Sequence, residues 1–173
     1  MICNVHQRSL AVPAAEAGFL IDGLAGPDDR LWPSDRWPAM RFDRPLGVGA
    51  RGGHGPIRYA VSAYVLGRRI QFTFTSPNID GFHEFELIDG GDGHCVLRHT
   101  LMAHASGSLR IVFPLVIRPL HDACLRDALD RAEAATGGTA QLRPHPAAVR
   151  LRQLHTPAVG VGHRLHDGQP EAA

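Results

Sequence analysis

The chain contains no lysine. All 18 of its basic residues are arginine, so lysine Schiff-base chemistry and a lysine general base are excluded. It also lacks an excess of charge of either sign: 17 acidic residues leave a formal net charge of +1, and no whole-molecule field points to nucleic acid or an anionic membrane. Cysteine is scarce. Cys3, Cys95 and Cys124 are scattered, odd in number and without C-x-x-C spacing, so they read as reduced thiols of a cytoplasmic protein rather than a disulfide framework. No apolar run approaches the roughly 20 residues of a membrane span. Nor does a basic region followed by an apolar core open the chain, as in a secretory signal.

Several catalytic signatures are missing too. Ser106 and Ser108 stand in A-S-G-S rather than a G-x-S-x-G elbow, which leaves a serine hydrolase without support. His83-Glu84 lacks the second histidine of H-E-x-x-H, which removes a zinc protease. Gly47 to Gly52 spells G-x-G-x-x-G, but Gly53, Gly55 and Pro56 follow where a helix would have to begin. That stretch is expected to be a flexible turn between strands. No cofactor is expected, and no metal-ligand set is assigned.

What the chain does have is 173 residues, 44% of them hydrophobic, enough for one domain and a tail. The domain is expected to span residues 1–137. Residues 138–173 carry Arg143, Arg150, Arg152 and Arg164 but no acid before Asp167, and are expected to form a flexible basic tail rich in proline and histidine, with Val149 to Arg152 a candidate edge strand.

Asn4 to Val12 reads as a first strand with Val5, Leu10 and Val12 as its apolar residues. A short helix is expected from Pro13 to Leu24, weakened by Gly18 and Gly23. Trp32 and Trp37, each followed by proline, are held in extended, irregular backbone and form either a cap over the core or a wall of a binding site. Ile57 to Leu66 and Arg69 to Ser76 read as two strands, the first with Tyr59 and Tyr64 on opposite faces. In the second, Ile70, Phe72 and Phe74 alternate with polar residues, the clearest period-two signal in the chain. Phe82 to Ile88 sets His83, Phe85 and Leu87 opposite Glu84 and Glu86, and because acids seldom face a core unpaired, His83 is expected inside. After the DGGDGH hairpin turn, Cys95 to Ala103 returns with Leu97, His99 and Leu101 on one face. Antiparallel pairing then places His99 next to His83 or one step along, with Arg98 near Glu84 or Glu86 outside.

Ile111 to Thr136 reads as a long amphipathic helix. At about 100° per residue, Phe113, Ile117, Leu120, Cys124, Leu125, Ala128 and Ala132 share one arc that includes His121. Asp122, Arg126, Asp130 and Glu133 fall on the opposite, solvent-facing side, and Arg118 with Asp122, Asp122 with Arg126 and Asp127 with Arg131 have ion-pair spacing. Pro114 and Pro119 predict a kink or a fresh start.

This order of elements, with the runs GGHGPIRY (Gly52 to Tyr59), GFHEFEL (Gly81 to Leu87) and RPLHDACLRDALDRAE (Arg118 to Glu133), resembles the helix-grip fold of the SRPBCC superfamily, and a bacterial subgroup of it without a settled activity. That superfamily includes START-like lipid-transfer proteins and polyketide cyclases. The resemblance implies an α+β fold, a curved antiparallel sheet wrapped around the C-terminal helix, with a ligand cavity between the two. It brings no universal catalytic residue.

The residues supply the candidates. His83, His121 and Tyr59 are expected to be acid–base groups if the protein is an enzyme. The wall of a ligand site is expected from Trp32, Trp37, His54, Phe72, Phe74, Phe85, His99, Phe113, Ile117 and Cys124, the cysteine mainly as a packing residue. The expected function is to bind or carry a small hydrophobic or aromatic molecule. The enzyme alternative is a polyketide cyclase or dehydratase, and a third reading is an interaction domain whose histidines are core residues. The expected partner is thus a small ligand, with no nucleic acid and no membrane span; a homodimer is compatible with the sequence.

Overall fold

The structure is a computed structural model that describes residues 1–140. The expected tail, apart from its first three residues, and the expected edge strand at Val149 to Arg152 lie outside the described residues. Strand β1 (Ile2–Leu10) is followed by two single-turn helices, α1 (Ala14–Ala17) and α2 (Phe19–Asp22). Six more strands follow: β2 (Arg41–Phe42), β3 (Arg51–His54), β4 (Ile57–Val65), β5 (Arg69–Phe74), β6 (Ile79–Gly91) and β7 (His94–Ala105). The described residues close with α3 (Leu109–Val112), a π-helical stretch (Phe113–Ile117) and α4 (Arg118–Ala135).

The seven strands form one antiparallel sheet in the order β1-β7-β6-β5-β4-β3-β2. The chain starts at one edge, crosses to the other through α1, α2 and the tryptophan segment, and returns strand by strand. β7 therefore finishes beside β1 and hands the chain to a helical run of 27 residues. This is the expected α+β arrangement, a curved antiparallel sheet with a long C-terminal helix.

Burial follows the pleat. Tyr59, Val61, Ile70, Phe72, Phe85, Leu87, Cys95 and Leu97 line the inner face and pack with Leu10, Ile21, Leu125, Ala128 and Ala132. Each large apolar side chain in such a core contributes about 1.5–3 kcal/mol. On the outer face Arg98 lies opposite Glu86, while Glu84 is bound from β5 by Arg69 at 2.8 Å and Gln71 at 3.1 Å.

Four local expectations are corrected. First, the Gly47 to Gly55 turn contains strand β3: a Cβ at Gly52 would lie 1.9 Å from the Arg41 carbonyl oxygen, so glycine serves here to bring strands close rather than to loosen them. Second, the helix expected from Pro13 to Leu24 is two separate turns, and at their junction a Cβ on Gly18 would meet the Gly67 Cα at 3.0 Å. Third, a β-bulge between Val61 and Ala63 reverses the parity of β4. Tyr64 then lies opposite Ile70 on the same face as Tyr59, and its hydroxyl donates to Asp22 at 2.8 Å.

The fourth correction concerns the polar side of the helix. Asp127 and Asp130 are only 2% and 5% exposed, because other elements cover the side expected to face solvent. Arg36 and the Trp37 indole N–H reach Asp127 at 3.2 and 2.8 Å, while Arg8 of β1 binds Asp130 and Glu133. Of the expected i,i+4 pairs, Arg118 and Asp122 stand 4.0 Å apart, whereas Arg131 turns to Asp35. The prolines act as expected: Pro119 falls in the first turn of α4, and the wider π-helical turn precedes it.

Candidate functional site: a line of buried imidazoles

β1 also departs from its apolar reading. Val5 is half exposed, while Asn4, His6, Arg8 and Leu10 share the inner face. Alternation along the strand thus aims three consecutive inner-face polar residues at α4. With β3, β4, β6, β7 and α4, this strand assembles a continuous row of rings through the interior.

The centre of the row comes from the β6–β7 hairpin. Register sets His83 opposite Leu101 and Phe85 opposite His99, so the two histidines are diagonal neighbours. His99 Nε2 lies 3.4 Å from His83 Nδ1, and their side chains are buried. Phe72 stacks on His83 at 4.9 Å between ring centroids, Phe74 lies at 5.3 Å, and Phe85 meets His99 edge-on at 4.7 Å. Towards the far edge of the sheet the Tyr59 ring stands 4.8 Å from His83. The Tyr59 hydroxyl is 3.0 Å from His54 Nδ1, and Trp32 covers His54 at 4.7 Å. Towards the helix His121 lies 5.2 Å from His99 and 6.4 Å from His6. The row ends at Asp122, which accepts a hydrogen bond from the Asn4 amide at 2.8 Å and lies 3.0 Å from His6 Nε2.

This polar layer runs between two apolar clusters. The larger contains Tyr59, Phe72, Phe85 and Cys124; the smaller contains Leu101, Ala103 and Phe113, with Phe74 and Ile117 packed against it. Of the residues expected at a ligand site, Trp32, His54, Tyr59, Phe72, Phe74, His83, Phe85, His99 and His121 are therefore brought together. Phe113, Ile117 and Cys124 flank them. Trp37 packs against the larger cluster and donates its indole N–H to Asp127 at 2.8 Å. Asn4, His6 and Asp122 were not singled out from the sequence as site residues. The signal available was the period-two polar face of β1, matched in sign to the acids of the helix.

Burial sets the electrostatics. Removal from water disfavours the imidazolium, and neighbouring imidazoles add to the effect. It lowers His54 and His121 to about 4 and holds His83 and His99 well below the ordinary value of 6.5. For His121 the charge of His6 pushes the same way and that of Asp122 opposes it. Burial likewise raises Tyr59, which remains a hydroxyl, and pushes the Cys124 thiol well up. Four neutral imidazoles and a phenol can exchange protons and hydrogen bonds without any carrying a fixed charge.

His83 Nε2, His99 Nδ1 and His121 Nδ1 are shielded from solvent and have no hydrogen-bond partner. Among the described residues, one surface depression lies beside Phe19, Asp22 and Arg30, and another, lined by Ala25, Trp32 and Arg41, reaches the Trp32 end of the row.

The fold and this interior define a helix-grip domain with a histidine-rich centre. No protein-family model matches the chain, and no curated protein does. Solved structures do. A protein from Thermobifida fusca superposes with a TM-score of 0.59 at 20% identity, over 79% of this chain and 94% of its own. Norcoclaurine synthase from Thalictrum flavum gives 0.57 at 16% identity, over 79% and 96%, and CalU16 from Micromonospora echinospora gives 0.57 at 15%, over 89% and 85%. At these identities the likeness shows the shared fold.

Proposed function

We propose that this chain is a small-molecule-binding domain of the SRPBCC superfamily that takes an aromatic molecule bearing hydroxyl or carbonyl groups between its sheet and its C-terminal helix. The observation that carries the proposal is the pair of shielded, unpartnered nitrogens at the centre of the row, His83 Nε2 and His99 Nδ1. A buried polar atom left without a partner costs about 1–3 kcal/mol, and native proteins rarely leave one so. A ligand with polar groups among flat rings would meet those nitrogens while Phe72, Phe74 and Phe85 cover its faces. A solved norcoclaurine synthase with this fold holds dopamine and hydroxybenzaldehyde, ligands of the same chemical kind. No helix among the described residues is long and apolar enough to cross a membrane.

Native mass spectrometry of freshly purified protein, followed by titration with a panel of phenols and aromatic ketones read by tryptophan fluorescence, tests this reading. Saturable binding is expected, with His99→Leu weakening a hydroxylated ligand at least tenfold while leaving its hydroxyl-free counterpart unchanged. Equal affinity for both ligands in both proteins would refute it. The enzyme reading, a cyclase or dehydratase, is favoured by the 3.0 Å contact between His54 and Tyr59, a neutral base beside a hydroxyl. In that reading Tyr59→Phe keeps binding and loses turnover.

A further inference from the structure

We propose that His6, His121 and Asp122 form a binding site for a divalent transition-metal ion at the outer end of the imidazole row. The three residues come from two elements, β1 and α4, that pack directly on each other. One donor atom from each lies within 4.8 Å of the other two, and His6 Nε2 is already 3.0 Å from Asp122 Oδ1. All three are half-buried, so an ion would be partly sheltered from water yet reachable from it. Nitrogen and carboxylate donors in a two-histidine, one-carboxylate set suit zinc, cobalt(II) or iron(II), and three protein ligands leave a position for water or a bound molecule.

Two further observations point to a ligand here. His121 Nδ1 is shielded and has no hydrogen-bond partner, although its ring stands beside His6 and the adjoining residue is an acid. The carboxylate is also oriented: the Asn4 amide donates to Asp122 Oδ1 at 2.8 Å, the kind of supporting contact that metal-binding carboxylates carry. Arg118 at 4.0 Å from Oδ2 is a competing cation, but the arginine is exposed and surface pairs contribute little. Ligands of a tetrahedral zinc with bonds of about 2.0–2.1 Å stand roughly 3.3 Å apart, so coordination keeps His6 and Asp122 near their 3.0 Å separation and draws His121 inward by at most about 1.5 Å. The site is independent of the identity of any organic ligand.

The experiment is a zinc titration of the full chain, stripped with a chelator, in competition with a chromophoric zinc indicator. One site per chain is expected, with His6→Gln and Asp122→Asn each weakening it at least tenfold and His104→Ala, on an exposed stretch of β7, leaving it unchanged. Nitrogen-detected histidine NMR of the unaltered protein gives a readout that no variant's folding can confuse: zinc should shift His6 and His121 together at one equivalent. Absence of micromolar or tighter binding, unchanged affinity in the His6 and Asp122 variants, or zinc shifts confined to other histidines would each overturn the site.

Discussion

Acidification from pH 8 to pH 5 in a chelator-containing buffer is expected to strip about 2 kcal/mol of stability from the fold through His54 alone, with His83 adding to the loss. His54 is lowered by burial to about 4 in the folded chain, against about 6.5 when unfolded. Its folded value is depressed, so the unfolded chain binds the proton first, and stability rises with pH between these two values. At pH 5 the difference amounts to about 2 kcal/mol relative to pH 8. His83 is held well below its ordinary value by burial and by neighbouring imidazoles, so its contribution falls in the same direction. The loss is a large part of the roughly 5–15 kcal/mol that holds a domain together. Urea denaturation followed by circular dichroism at half-unit pH intervals measures it. In the window from about 6 to 5, His83→Phe, which places an apolar ring among Phe72, Phe74 and Tyr59, should reduce the slope, by at most about 1.4 kcal/mol per pH unit. A wild-type stability flat from pH 7 to pH 5, or a slope unchanged in that variant, would refute the view that these histidines are buried and neutral.

Two other outcomes follow from the packing. Asp127→Ala removes a carboxylate that is 2% exposed and is held by Arg36 and the Trp37 indole; thermal denaturation should show a loss of about 3 kcal/mol, as for breaking a buried ion pair. A disulfide exchange reagent should modify one thiol per native chain, Cys3, because Cys95 and Cys124 are buried and burial raises both of their thiols; all three should react in urea. Rapid native reaction of a second thiol would contradict the burial of the sheet's inner face at Cys95 or of the helix face at Cys124.

The sequence by itself determined the class of fold and the facing of the central strands. Ile70, Phe72 and Phe74 alternate with polar residues, and Glu84 and Glu86 oblige His83 and Phe85 to turn inward, because a strand's side chains alternate strictly and charge seeks water. The helical arc from Phe113 to Ala132 was legible for the same reason at a different period.

What only the tertiary structure decided is everything that depends on which surfaces meet. The bulge at Val61 breaks the alternation of β4 and carries Tyr64 to the inner face. The glycines of β3 serve a close approach of backbones rather than a loose turn. The polar side of α4 resembles a solvated face in any local window, yet Asp127 and Asp130 are buried, because the acids meet an arginine from β1 and a tryptophan from a segment about 90 residues away. His6 and Asp122 are separated by 116 residues and become neighbours only because β7 completes the sheet beside β1 and delivers the helix across it. Periodicity reports which way a side chain points from its own element; the partner it finds there is set by long-range pairing, which no local pattern contains.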